Sequence, residues 1–314
     1  MSLFLQFATP RLPELSIDRW GVCVKGASFI SVGRQRHKLA FLALPMALAI
    51  GGCTSVPLKE AGTLTSYDRL GAAKGKFTKS RTFVDGPSLA GTRTVKIVPT
   101  TFAFGVSSRV NRAEDRALVA NALDRAVCVA LSDKYQVVGL NQPADLTVRT
   151  VVTDIVPTNK AIAGVSTAVS LGSSAVLPVG IPRLPVGLGG LAVEAEATDF
   201  NGAQRAAVVW SKGANSITNN ARVSDVGDAY SLASNFGNYF SRMIATGKEP
   251  SGMQIALPSG QKMNSMLGGK PKYAACETFG RAPGLMGAVG SKLGAPPSWT
   301  DKSGKMQNDQ VVSQ

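Results

Sequence analysis

The chain has 314 residues and a formal net charge of +14, from 34 Lys and Arg against 20 Asp and Glu, with one histidine and 4 cysteines. The single histidine, His37, lies in an N-terminal stretch that reads as a removable export signal, so the mature chain has none. That excludes a Ser-His-Asp or Cys-His nucleophile pair, a histidine general base and every histidine-containing zinc site.

Residues 1–31, with Pro10, Pro13, Glu14, Asp18, Trp20 and Cys23, fit a signal poorly. They read as an upstream extension of a chain whose translation starts near Val32; an unusually long signal is the alternative. From Arg34 the pattern sharpens. Arg34, Arg36 and Lys38 precede an uncharged apolar run from Leu39 to Ile50, and then come Gly51, Gly52 and Cys53. A basic cluster, a short apolar run and small residues before a cut mark an export signal. The run is too short for a bilayer span, which needs about 20 apolar residues. Ile50-Gly51-Gly52-Cys53 resembles the lipobox of bacterial lipoproteins. The resemblance implies cleavage between Gly52 and Cys53 and a diacylglyceryl thioether on Cys53, with further acylation giving stable anchoring where one chain would not. A buried apolar helix that happens to contain a cysteine is the competing reading. Thr54 replaces the Asp that retains some lipoproteins at the inner membrane, which favours a periplasm-facing anchor in the outer membrane.

Without the six basic and two acidic residues of 1–52, the mature part keeps 28 basic against 18 acidic residues, or +10. Such a charge favours anionic lipid head groups or envelope polymers, and export disfavours nucleic acid. Residues 53–93 read as a lipidated basic tether, solvated or drawn to anionic lipid through Arg69, Lys74, Lys76, Lys79 and Arg81. Leu64, Tyr67 and Leu70 have helical spacing and are candidates to dock on the domain.

The folded region is expected over 94–248. Val95–Val98 reads as a strand running on toward Phe104. Residues 109–133 read as an amphipathic helix through Leu118, Ala122, Leu123, Ala126, Val127 and Ala130. Tyr135–Val138 is a further strand, and Leu146–Val152 alternates at period two until Pro157 stops it. Residues 161–182 carry no charge. They read as a small-residue helix and loop covering the sheet, or as a face for membrane or subunit contact. Val193–Thr198 and Ala206–Trp210, joined through Asp199-Phe200-Asn201-Gly202, form the clearest hairpin. Residues 225–246 make a second amphipathic helix, with Phe236 and Phe240 in the core beside Trp210. Residues 249–314, rich in Gly, Pro, Ser, Lys and Met, read as a low-complexity, largely disordered tail. The expected fold is one α+β (α/β) domain with a mostly antiparallel sheet and two helices packed on it.

Few residues suggest chemistry. Glu194 and Glu196, two apart on one strand, share a face. They read first as the solvated side of a hairpin and second as an acid-base pair. Asp154 and Asp199 sit at strand ends, where Asp commonly satisfies turn amides. Gly187-Leu188-Gly189-Gly190 precedes a strand, whereas a dinucleotide loop must follow one. Ser259-x-x-Lys262 matches an acyl-enzyme spacing by chance. Trp299 is an isolated aromatic. With Cys23 and Cys53 set aside, Cys128 and Cys276 remain. They can form one disulfide, or Cys128 can be a core residue and Cys276 a free thiol. No catalytic residue, metal site or cofactor is expected.

Leu64-Thr-Ser-Tyr67-Asp-Arg-Leu70 after a lipobox, Ala144-Asp145-Leu-Thr-Val-Arg-Thr-Val-Val-Thr-Asp154-Ile-Val-Pro157-Thr158, and Gly190-Leu-Ala-Val-Glu194-Ala-Glu196-Ala-Thr-Asp199 together resemble the bacterial lipoprotein family called domain of unknown function 3313. The resemblance covers about residues 60–247. It implies an envelope location and no activity, and it leaves the long tail and the N-terminal extension outside the pattern. The function expected first is a non-enzymatic, membrane-tethered binding or assembly module, with an envelope protein, an anionic polymer or further copies of itself as partner. The alternatives are a hydrolase or transferase of envelope polymers using Glu194, Glu196 or Asp154, and a carrier with an apolar cavity lined by Val165, Val169 and Leu171.

Overall fold

The computed structural model describes residues 55–174, 182–250 and 259–302. The expected lipidation and cleavage positions, Cys53 and Gly52, lie outside the described residues. Seven strands form one mixed sheet: β1 (Thr78–Val84), β2 (Thr94–Ile97), β3 (Thr101–Phe102), β4 (Gln136–Val138), β5 (Leu146–Val156), β6 (Gly190–Asp199) and β7 (Gln204–Gly213). Their order is β1-β7-β6-β5-β2-β4, and β3 follows β2 along the same edge of β5. The long pairings β1–β7, β7–β6 and β6–β5 are antiparallel. The short strands β2, β3 and β4 pair parallel. The helix α1 (Ala113–Leu131) connects β2 and β3 to β4, and a helical crossover is what brings two parallel strands side by side.

Period-two alternation decides what each face of the sheet meets. Val193, Ala195 and Ala197 of β6 and Ala206, Val208 and Trp210 of β7 point to one side and join the main core. There they meet α1 and the helix α3 (Gly227–Thr246), with Trp210 set edge-on to Phe236 at 5.5 Å. The two helices approach closely because Gly237 has no side chain: a Cβ there would lie 2.6 Å from Ala126 Cβ. Gly247, at φ +65°, ends α3 in the left-handed conformation that favours glycine. The helix α2 (Lys160–Ser174) departs from the expectation that it covers the sheet. It packs on the 221–223 loop, through Gly164 against Val223 and Thr167 against Ala221, and leaves Val165, Val169 and Leu171 exposed.

Two boundaries differ from the sequence reading. Residues 55–93 are not a free tether. Thr78–Val84 forms the edge strand β1, and Leu64 and Leu70 pack on Ala207 and Val209 on the second face of the sheet. They do so without forming the helix their spacing suggested. The basic side chains of this stretch are largely tied down. Arg81 pairs with Glu60, Lys74 with Glu249, and Arg69 lies 4.0 Å over the Phe83 ring. The tail is not disordered through its described part. Residues 259–302 hold the helices α4 (Gly260–Met266) and α5 (Gly284–Lys292) and two 3-10 turns, Ala274–Phe279 and Pro297–Trp299. Low complexity misled because few large residues do the anchoring. Phe279 enters the core, and Cys276 is bonded to Cys128 of α1, with Cα atoms 5.8 Å apart. Among the described residues, no helix is long and apolar enough to cross a membrane.

Candidate functional site

The face of β6 opposite the helices carries Glu194 and Glu196, and it is not solvated. Residues 59–70 lie over it, and the two glutamates are 0% and 2% exposed. Glu194 accepts from the amides of Ala61 at 2.7 Å and Thr63 at 3.1 Å, from the Thr63 hydroxyl, and from Tyr67 Oη at 2.6 Å. Tyr67 Oη in turn accepts from the Thr63 amide at 2.8 Å and the Leu64 amide at 3.2 Å. Glu196 accepts from the Thr65 amide at 2.8 Å, the Thr65 hydroxyl at 3.0 Å, Arg149 at 2.5 Å and Gln204 Nε2 at 2.9 Å. Burial alone would raise the Glu196 carboxyl, but these donors outweigh it and hold the group below its ordinary value. Burial, and then the Glu194 carboxylate, push the Tyr67 phenol up. A buried carboxylate is tolerable when donors fill its lone pairs, and each of these is filled by four. The pair therefore clamps the N-terminal segment to the sheet.

A second clamp lies at the end of the sheet where β5 finishes and β6 begins. Asp228, fully buried in the first turn of α3, accepts from Arg183 Nη1 at 2.5 Å and Nη2 at 3.0 Å, the Gly189 amide at 2.7 Å and Thr158 Oγ1 at 3.0 Å. A Cβ at Gly189 would lie 2.6 Å from Thr158 Oγ1, so the glycine-rich run exists for close packing before β6 and not for phosphate. A fourth buried carboxyl, Asp124 on α1, accepts from the amide and hydroxyl of Thr100. Burial pushes it up to about 7 against that bonding.

The remaining candidates have local roles. Asp154 pairs with Arg109 at 3.1 Å. Asp199 accepts from the Asn201 and Ala203 amides in the hairpin turn and from Arg205. Asp145 of the second motif accepts from the Arg93 and Thr94 amides and so starts β2. Ser259 caps α4 by accepting from the Lys262 amide at 3.1 Å, which accounts for the Ser-x-x-Lys spacing. Trp299 is 77% exposed. Val165, Val169 and Leu171, the expected walls of a carrier cavity, are exposed as well. Among the described residues, no group of three His, Cys, Asp or Glu side chains is placed to hold a metal ion. Sequence reasoning missed Asp228 and Arg183, which belong to none of the motifs and whose only signal was a charge beside apolar residues, and Asp124, which sits next to Arg125 on a helix whose charged positions read as its outer face.

The arrangement defines a mixed α/β domain whose motif residues meet one another as internal clamps. The family model for a protein of unknown function (DUF3313) matches residues 59–240, and the chain belongs to that family. The match contains the clamping strand and segment together. No curated protein matches the chain. Two solved structures are similar in part, both PelC dodecamers from Paraburkholderia phytofirmans. One shares 11% identity at a TM-score of 0.33, over 55% of this chain and 99% of that one. The other, a point-substituted form, shares 16% identity at a TM-score of 0.28, over 51% and 95%.

Proposed function

We propose that this chain is a membrane-tethered, non-enzymatic binding or assembly module of the bacterial cell envelope, cut after Gly52 and lipidated on Cys53. The observation that carries this reading is the join between the signal-like segment and the domain. Val56, three residues beyond Cys53, is buried against Gly190, and its carbonyl accepts from Ser211 Oγ at 3.1 Å. Three residues of extended chain reach about 10 Å. A lipid on Cys53 would therefore hold this end of the sheet against the bilayer, where a long tether would let the domain roam.

The same end supports membrane contact. Phe77, just before β1, is 69% exposed, and Ile217, just after β7, is 83% exposed. Val186 and the outer side chains of α2, Val165, Val169 and Leu171, are exposed as well. The uncharged run beginning at Ala161 suits lipid or a second copy of the chain better than bulk water. A carboxylate-dependent reaction draws no support from Glu194 and Glu196, whose oxygens are already occupied by donors of the chain itself.

The test is orientation. Lipidated protein bearing Ile217→Trp or Phe200→Trp is placed in vesicles with brominated acyl chains. Phe200 sits at the hairpin tip, the length of β6 away, about 30 Å. Quenching beyond that of the unsubstituted protein, which keeps Trp210 and Trp299, is expected at position 217 and not at 200. Equal quenching at both, or none at 217, overturns the reading.

A further inference from the structure

We propose that the cleft between α1, α3 and the C-terminal segment binds a small amphipathic oxyanion, a carboxylate or phosphate on a short apolar body. This goes beyond the tethering role and does not depend on it. The cleft has a volume of 280 Å³, at the small end for ligand sites. Ala122, Ala126 and Val129 of α1 form an apolar wall, and Met266 of α4 stands among the residues that complete it. Three cations, Arg125, Arg222 and Lys262, also line it, and among the described residues no acidic one does.

The cations are unequally answered. Arg125 Nη2 donates to Asp301 at 2.7 Å, and the Tyr230 hydroxyl bonds to the same oxygen. Arg222 makes no ion pair among the described residues. It is buried, lies 5.3 Å over the Tyr230 ring, and donates from Nη2 to the Gly287 carbonyl at 3.3 Å. Its Nε and Nη1 are buried without an acceptor among those residues. Lys262 Nζ, with three donors, gives one to Asn238 Oδ1 at 2.6 Å. Arg125, Arg222 and Lys262 against Asp301 leave the wall two charges positive. Burial lowers both Arg222 and Lys262 from their ordinary values, and the negative charges of Asp301 near the first and Asp133 near the second offset it only in part.

A buried cation with open donors is costly unless paired. An oxyanion entering the cleft supplies an acceptor to Lys262 Nζ, the Arg222 guanidinium adds positive potential to the same lining, and the alanine and valine wall takes an apolar body. The Cys128–Cys276 bond holds the C-terminal segment, which contributes Lys262, Met266 and Pro283 to the lining, across α1. The site thus gives that segment a role the family match does not cover.

The test is calorimetric titration of the full chain with hexyl phosphate, hexanoate, inorganic phosphate and hexanol. Saturable binding of hexyl phosphate or hexanoate at one per chain is expected, with the better of the two identifying the head group. Inorganic phosphate and hexanol should each bind much more weakly. Lys262→Gln, at a half-buried position that leaves the core untouched, should weaken binding about tenfold, the worth of one charge-assisted hydrogen bond. Arg222→Gln, which removes the second charge of the lining, should weaken it as well, with circular dichroism showing whether that variant folds. Absence of saturable binding by both amphiphiles, equal binding of hexanol, phosphate binding as tightly as hexyl phosphate, or an unchanged Lys262→Gln titration overturns the proposal.

Discussion

Replacing Glu194 by Gln tests whether the carboxylate pair is a clamp. The side chain is isosteric and the site fully buried. One amide orientation keeps an acceptor where Oε2 receives Thr63 N, Thr63 Oγ1 and Tyr67 Oη. It then sets an NH₂ group against the Ala61 amide, which now donates to Oε1 at 2.7 Å. The other orientation opposes more donors. Leaving one buried donor unsatisfied costs about 1–3 kcal/mol, and turning the other three bonds from charge-assisted to neutral weakens each, for a total of about 2–4 kcal/mol. Residues 59–70 precede β1, so they can detach without unravelling the sheet, and the loss falls first on that local opening. Hydrogen exchange at the Ala61, Thr63 and Thr65 amides reads it directly. Exchange faster by about a hundredfold is expected, since each 1.4 kcal/mol is a factor of ten. Unchanged protection at all three amides together with an unchanged urea midpoint would refute the clamp.

Two further predictions concern the core and the C-terminal segment. Asp124 has an ordinary value of 3.8 and is held at about 7 in the fold, so between these values the folded chain keeps a proton that the unfolded chain gives up. Its contribution to stability is full below the lower value, falls as pH rises through the window, and levels off above about 7. Linkage puts the change at about 4 kcal/mol at most. Urea melts at pH 5 and pH 8 should show a smaller difference for Asp124→Asn than for the wild type; an identical difference would remove Asp124 from the cause. Breaking the bond between Cys128 and Cys276, 148 residues apart, with Cys276→Ala should cost about 2–5 kcal/mol. It should also expose residues 259–302 to limited proteolysis, and a variant that melts and cleaves like the wild type would show the segment to be held by packing alone.

Long periodic elements were legible in the sequence. The hairpin around Asp199–Gly202, the strand ended by Pro157 and the helices carrying Leu123 and Phe236 all follow from periods of two and 3.6. The solvated reading of Glu194 and Glu196 failed because alternation tells which residues share a face and not what covers it. The cover comes from residues 131–133 positions earlier in the chain. Tyr67 and Glu194 were both visible as motif residues, yet nothing local joined them. The C-terminal segment was hidden for a related reason. One disulfide, one phenylalanine and the Arg125–Asp301 pair anchor it, and none of these leaves a periodic trace. Asp228 was hidden because its partners Arg183, Gly189 and Thr158 come from loops, where pattern carries no register.

Membrane tethering through Cys53 is tested most directly by intact mass and fractionation of the protein from cells, wild type beside Cys53→Ser. A membrane-bound species that begins at Cys53 and carries acyl mass, lost in the variant, is the expected result. A soluble, unacylated species that retains residues 1–52 would contradict it, and the proposed apposition of the Val56 end of the sheet to a bilayer would fall with it.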